Sequence, residues 1–218
     1  MNIPINILRH YLRDVYFLCG TACGGKTTIS KALAERHSLL WLGEDELNAE
    51  MLRVAAPAHQ PAWCSRPADW EAYFNRPYRE FAQWLDDCIA EQVPLMVLEL
   101  IKRCAERPVA VDLPFAVRTA MELAAPDHLV FLVTAPEIMA RNYFNRPGHS
   151  EILDEIMRLR DPQKALANTH RTLEYMTQKT LDEVRQSGAP WVMRNERSTV
   201  EGTLAQVEQI FQLPQPQK

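Results

Sequence analysis

Val15-Tyr16-Phe17-Leu18-Cys19-Gly20-Thr21-Ala22-Cys23-Gly24-Gly25-Lys26-Thr27-Thr28 runs from five apolar residues through a glycine-rich turn into a lysine and two threonines. The apolar run shows no alternation with polar residues, which is the pattern of a strand buried on both faces of a parallel sheet. Beyond the turn, Thr27 to Arg36 has helical spacing, with Ile29, Ala32 and Leu33 on one apolar side. The segment therefore reads as strand, tight turn, helix. Its turn spells G-x-x-x-x-G-K-T, in which backbone N–H groups close around an anion and the helix N-terminus adds the positive end of its dipole. In such a turn Lys26 reaches the β- and γ-phosphates and the Thr27 hydroxyl binds magnesium. Residues Gly20, Thr21, Ala22, Cys23, Gly24, Gly25, Lys26, Thr27 and Thr28 are thus expected to hold the triphosphate of ATP together with Mg2+. Cys23 inside this turn has two readings: a small residue that fits, or a thiol whose pKa the helix terminus lowers.

Outward from this turn the chain alternates short apolar runs with helical segments. Strands are expected at Leu39–Leu42, Val109–Val111, Leu129–Val133 and Trp191–Met193. Helices are expected over about 46–54, 70–91, 95–106, 150–159, 162–186 and 199–211, with 56–69 loop-rich because of Pro57, Pro61 and Pro67. Buried strands alternating with helices imply a parallel sheet covered on both faces. The 218 residues fit one domain, 1–218, with no internal repeat or low-complexity linker.

Composition narrows the classes of function. Apolar residues make up 47% and charged residues 24% of the chain, ordinary values for a globular protein. The net charge of −4, without a basic run, speaks against a nucleic-acid partner. No stretch reaches the ~20 apolar residues of a membrane span. Arg9, His10 and Arg13 interrupt any apolar signal-peptide core near the N-terminus. Five cysteines, an odd number without a C-x-x-C pair, read as free thiols in a reducing, cytoplasmic setting and speak against structural zinc.

Four further stretches carry candidate chemistry. Gly43-Glu44-Asp45 follows the second strand, where carboxyl ends line the ligand crevice of such sheets. Asp45 there either serves a substrate hydroxyl or magnesium, or caps the next helix; Glu44 is the weaker candidate. Asp112 ends the third strand and is a candidate magnesium ligand. Arg141 and Arg146, in the stretch Arg141 to His149 broken by Pro147-Gly148, suit a lid over phosphates, because the guanidinium fork donates two hydrogen bonds and its charge offsets that of a transferred phosphoryl group. A solvated helix end is the plain alternative, and His149 reads as a surface residue. Trp63 to Trp84 holds seven aromatic residues in twenty-two positions. Packing accounts for such a stripe, although some members could wall an organic acceptor, with Arg66, Arg76 and Arg79 binding an acidic group on it.

Taken together, the phosphate loop, the acid after the second strand, Asp112 and the paired arginines resemble the P-loop small-molecule kinases, the group of nucleoside monophosphate, shikimate and gluconate kinases. The resemblance runs from Val15 to Phe211. It implies a three-layer α/β/α P-loop NTPase fold with a five-stranded parallel sheet in the order 2-3-1-4-5. It also implies a helical substrate-binding insert at about 56–106 and a lid at about 141–160. Asp45 matches the aspartate that contacts the substrate hydroxyl in the sugar and shikimate kinases, and Arg146-Pro147 is similar to the Arg-Pro of shikimate kinase lids. Adenine would lie against Arg194 to Ser198. The implied activity is transfer of the γ-phosphoryl of Mg-ATP to a small acceptor, with Lys26, Asp45, Arg141 and Arg146 catalytic and Thr27 and Asp112 holding the metal. Asp112-Leu113-Pro114-Phe115 departs from the Asp-Gly-x-Pro-Arg of adenylate kinases and from the glycine-rich segment of shikimate kinases. No Asn-Lys-x-Asp element for guanine occurs. An NTP-dependent switch acting on a protein partner is the alternative class.

Overall fold

A computed structural model describes residues 3–65, 69–146 and 149–214, without the side chains of residues 45, 49 and 50. In chain order the elements are α1 (Ile5–Tyr11), β1 (Val15–Gly20), α2 (Lys26–Arg36), β2 (Leu40–Gly43), α3 (Glu44–Met51), α4 (Pro61–Cys64), α5 (Trp70–Phe74), α6 (Tyr78–Cys104), β3 (Val109–Asp112), α7 (Val117–Leu123), β4 (Leu129–Thr134), α8 (Pro136–Asn142), α9 (Ser150–Met157), α10 (Pro162–Ser187), β5 (Trp191–Arg194) and α11 (Val200–Ile210). The five strands form one parallel sheet, as the alternation of strands and helices leads one to expect, in the order β2-β3-β1-β4-β5 that the resemblance to P-loop kinases implies. The fold is the three-layer α/β/α arrangement of P-loop proteins.

The continuous apolar runs follow from burial on both faces. Side chains alternate across a strand. Val15, Phe17 and Cys19 of β1, with Val109, Val111, Phe131 and Val133, enter the core beneath α6, α7 and α10. Leu18, Ala110, Val130 and Leu132 enter the opposite core, beneath α2 and α11. On that second face Glu208 is almost fully buried, its carboxylate accepting from Arg36 Nη1 at 3.2 Å and lying 2.9 Å from His37 Nε2. This cluster ties α11 to α2, the helix that opens at the phosphate loop.

The helices depart from the sequence reading in three places. The stretch 70–91 is not one helix: α5 ends at Phe74, and the chain restarts at α6 after Pro77, whose fixed φ suits a helix start. The expected break before Leu95 does not occur, and α6 runs 27 residues through Pro94. Proline removes one N–H and crowds one carbonyl. Burial of Met96, Val97 and Leu100 against the sheet outweighs that cost. Finally, α3 begins at Glu44, with Glu46 accepting from the Gly43 N–H at 3.1 Å in the manner of a capping box. Asp45 therefore sits inside the first turn of α3 and is not its N-cap. The helices α1, α4, α7 and α8 match no expected helix, being too short to display a period.

Candidate active site

The phosphate loop forms where β1 ends against β4. Gly20 has φ 115° and approaches the Leu132 carbonyl so closely that a Cβ there would strike it. Gly25, at φ 83°, is the left-handed N-cap residue of α2, a conformation glycine adopts without cost. Cys23 holds a left-handed φ of 56° without being glycine. The Thr21 N–H donates to Leu132 O at 3.2 Å, and its hydroxyl accepts from the Thr134 N–H at 2.9 Å, so the loop is pinned to the end of β4. Lys26 Nζ folds back to donate to Gly20 O at 3.2 Å and Thr21 O at 3.0 Å. Burial pushes its pKa down, and the charges of Glu44 and Asp112 partly restore it.

Asp112 ends β3 in register with Leu18 on one side and Gly43 on the other, so the sheet order itself carries it to the helix that follows the loop. Thr27 Oγ1 donates to Asp112 Oδ2 at 2.6 Å, and Ser30 Oγ, one turn further along α2, reaches Oδ1 at 3.4 Å. The indole N–H of Trp41 donates to Ser30 Oγ at 2.9 Å. Asp112 is only 6% exposed. Burial raises its pKa above the usual carboxylate range, against the Thr27 hydrogen bond and the Lys26 charge, which lower it. The sequence reading did not single out Ser30 or Trp41. Ser30 was findable, since it stands three residues after Thr27 on the same side of α2; Trp41 comes to it only through sheet pairing.

A cavity of about 460 Å³ opens directly on this loop. Gly20, Thr21, Ala22 and Lys26 line one end, α6 and α10 form the long walls, and Pro114 to Ala116 close it beneath β3. Arg146 and Glu44 also line it. On the helical walls Asp86 of α6 and Lys179 of α10 pair at 2.8 Å, with Asp87 and Glu183 nearby in the lining.

The remaining candidates separate. Arg146 stands at the cavity, whereas Arg141 forms an exposed 2.6 Å ion pair with Glu196, beyond β5. Thr28 lies exposed in the first turn of α2. The side chain of Asp45, and residues Arg66, Pro147 and Gly148, lie outside the described residues. The aromatic stripe packs: Phe74 and Phe81 build a small separate core with Ile156 and Ala165, joined by Tyr73 and Trp84, and none of the seven lines the cavity. Arg76 lies over the rings of Tyr73, Phe81 and Trp84, and Arg79 lies against Tyr78 and Tyr175. Neither reaches the cavity to meet an acidic acceptor. Cys23 also departs from one of its readings. Burial raises its thiol pKa, outweighing the positive charges of Arg146 and Lys26. All five cysteines are free thiols. Among the described residues, no helix is long and apolar enough to cross a membrane.

No family model and no curated protein matches this chain. Among solved structures, it is similar to the shikimate kinase from Acinetobacter baumannii in complex with shikimate over 96% of this chain and 98% of that one, at 17% identity and a TM-score of 0.44. It is similar to the shikimate kinase from Bacteroides thetaiotaomicron over 91% and 98%, at 14% identity and a TM-score of 0.49. Likenesses of this degree bear on neither substrate nor reaction, which rest on the residues of this chain.

Proposed function

We propose that the protein transfers the γ-phosphoryl group of Mg-ATP to a hydroxyl of a small organic acceptor held between α6 and α10. The observation that carries this reading is the cavity itself: Lys26 and the phosphate loop form one end of a partly open cleft sized for a small molecule. A protein-operated switch needs no such space.

The donor set at Thr27 and Asp112 is a hydroxyl and a carboxylate 2.6 Å apart, hard oxygen donors of the kind that suit magnesium. When bound with ATP, the ion would neutralise charge on the β- and γ-phosphates. Lys26 would leave its resting carbonyl partners for the phosphate oxygens, and Arg146 would meet them from the cavity side. The acceptor oxygen would then bond to the γ-phosphorus while the bond to the β,γ-bridging oxygen breaks, releasing ADP. The acceptor's proton would pass to a carboxylate at the start of α3, for which Asp45 is our candidate and Glu44 its neighbour in the cavity. Arg141, with residues 141–160 as a lid, is assigned to phosphate charge only in a closed state in which it leaves Glu196.

The cavity walls also bear on the acceptor. Asp86, Asp87 and Glu183 outnumber Lys179, which Asp86 already engages, so a neutral or amine-bearing hydroxyl compound fits better than an acid. The test is a screen of nucleosides, sugars, amino sugars and sugar acids for acceptor-stimulated ADP release by the intact protein. Stimulation by a hydroxylated neutral or cationic compound is expected. ATP binding without stimulation by any small molecule would turn the reading toward a switch, and no binding of Mg-ATP would overturn it.

A further inference from the structure

Arg194 is the last residue of β5, and its half-buried side chain lies on the phosphate loop: a Cβ added to Gly25 would collide with the guanidinium. The backbone beneath it is held firmly. Thr134 donates its hydroxyl to Arg194 O at 3.1 Å and its N–H to Thr21 Oγ1 at 2.9 Å, linking β5, β4 and the loop in one chain of hydrogen bonds. The side chain, by contrast, is poorly satisfied. Among the described residues its buried Nε has no hydrogen-bond partner. Burial lowers its pKa, and no carboxylate among the described residues opposes that shift. The acid closest in sequence, Glu196, is occupied by Arg141 at 2.6 Å.

A buried donor left unpaired is costly. Such a group in a folded protein calls for an explanation, and a ligand that arrives later is one. The position of Arg194 narrows the ligand. It touches the residue that caps α2, within the turn built to surround phosphate, and it does not line the acceptor cavity. We propose that Arg194 is a ligand of the polyphosphate chain of the nucleotide, entering from the β5 side of the loop while Lys26 and Arg146 face the acceptor. The planar fork suits two phosphate oxygens at once. The assignment rests on the nucleotide-binding part of the proposed function but not on phosphoryl transfer, and it gives the last residue of β5 a role other than contact with adenine.

The test compares wild-type protein with Arg194→Met and Arg194→Lys by calorimetry and thermal melting. The probes are Mg-ADP, inorganic tripolyphosphate and adenosine. Arg194→Met should weaken Mg-ADP and tripolyphosphate by about ten- to a hundredfold, the range of a hydrogen bond to a charged group. Adenosine should be unaffected, and Arg194→Lys should fall between, keeping charge but losing the fork. Without ligand, Arg194→Met should melt no lower than wild type, since a buried donor without a partner has been removed. Equal affinity of wild type and Arg194→Met for both phosphate probes would overturn the assignment. So would a loss shared equally by adenosine, which marks a structural role. If wild type binds neither Mg-ADP nor tripolyphosphate, the phosphate-loop reading itself fails, an outcome distinct from an intact wild type with an indifferent variant.

Discussion

Gly20 to Lys26, at the loop end of the cavity, occupy seven consecutive positions, whereas Asp86 and Lys179 on its helical walls stand 93 positions apart and still pair at 2.8 Å. The two ends differ equally in burial. Asp112 is 6% exposed and held by Thr27 and Ser30, while Lys179 and Asp86 remain 44% and 35% exposed in their side chains. Phosphate is one chemical shape, and the partly buried loop proposed to meet it would do so with local backbone geometry. The wall we propose for the acceptor consists of side chains on two long helices, whose backbones serve packing.

The sharpest way to break this contrast is Lys26→Ala. It should cut phosphoryl transfer by about 10³-fold, the scale of losing one charge-stabilising donor, while the protein still folds, because β1 and the glycines shape the loop. Near-normal turnover, with melting unchanged, would remove the loop from the chemistry. Next, Phe81→Ala should cost about 3 kcal/mol of stability by emptying part of the small core around Phe74 and Ile156. Its affinity for Mg-ATP at the folded temperature should be unchanged. A change in acceptor KM without loss of stability would instead make the aromatic stripe part of the wall.

Asp45→Asn sharpens the comparison at the junction of the two ends. Acceptor phosphorylation should fall by about 10²-fold with ATP affinity nearly constant. Because Gly43 and Glu46 form the cap of α3, melting should not respond. If Asp45→Asn keeps full turnover and Glu44→Gln loses it, the proton acceptor is Glu44, which already lines the cavity.

The smallest effect is a matter of pH. Asp112 has a pKa raised by burial, so its native carboxyl holds a proton more tightly than the unfolded chain does. Its contribution to stability is therefore full at low pH and lost as pH rises through the raised native value. Asp112→Asn should lack this loss and, without ligand, melt no lower than wild type at neutral pH. Metal binding runs the other way. The magnesium dependence of ATP affinity should fade on acidification at a higher pH than for an ordinary carboxylate, and be weak at every pH in Asp112→Asn. A magnesium dependence equal in both proteins would exclude Asp112 as a ligand.

What the chain determined by itself lies where neighbours in sequence are neighbours in space. The run Val15 to Cys19, the glycines of the turn and the spacing of Ile29 and Leu33 specify strand, loop and helix through local dihedral preference and two-sided burial. The repetition of such runs specifies a parallel sheet, whereas its order, β2-β3-β1-β4-β5, is implied only by the resemblance and is set by the tertiary structure. Tertiary structure alone decided the rest. Packing against the sheet carried α6 through Pro94, which local propensity would break. Sheet pairing brought Trp41 to Ser30 and set Arg194 on Gly25, contacts between residues with no periodic relation. The burial that pushes the Cys23 thiol up, against the charges of Arg146 and Lys26, likewise comes from residues distant in the chain, such as Met139, whose carbonyl lies 3.9 Å from its sulfur. Desolvation depends on everything that surrounds a group, and a linear motif contains only what precedes and follows it.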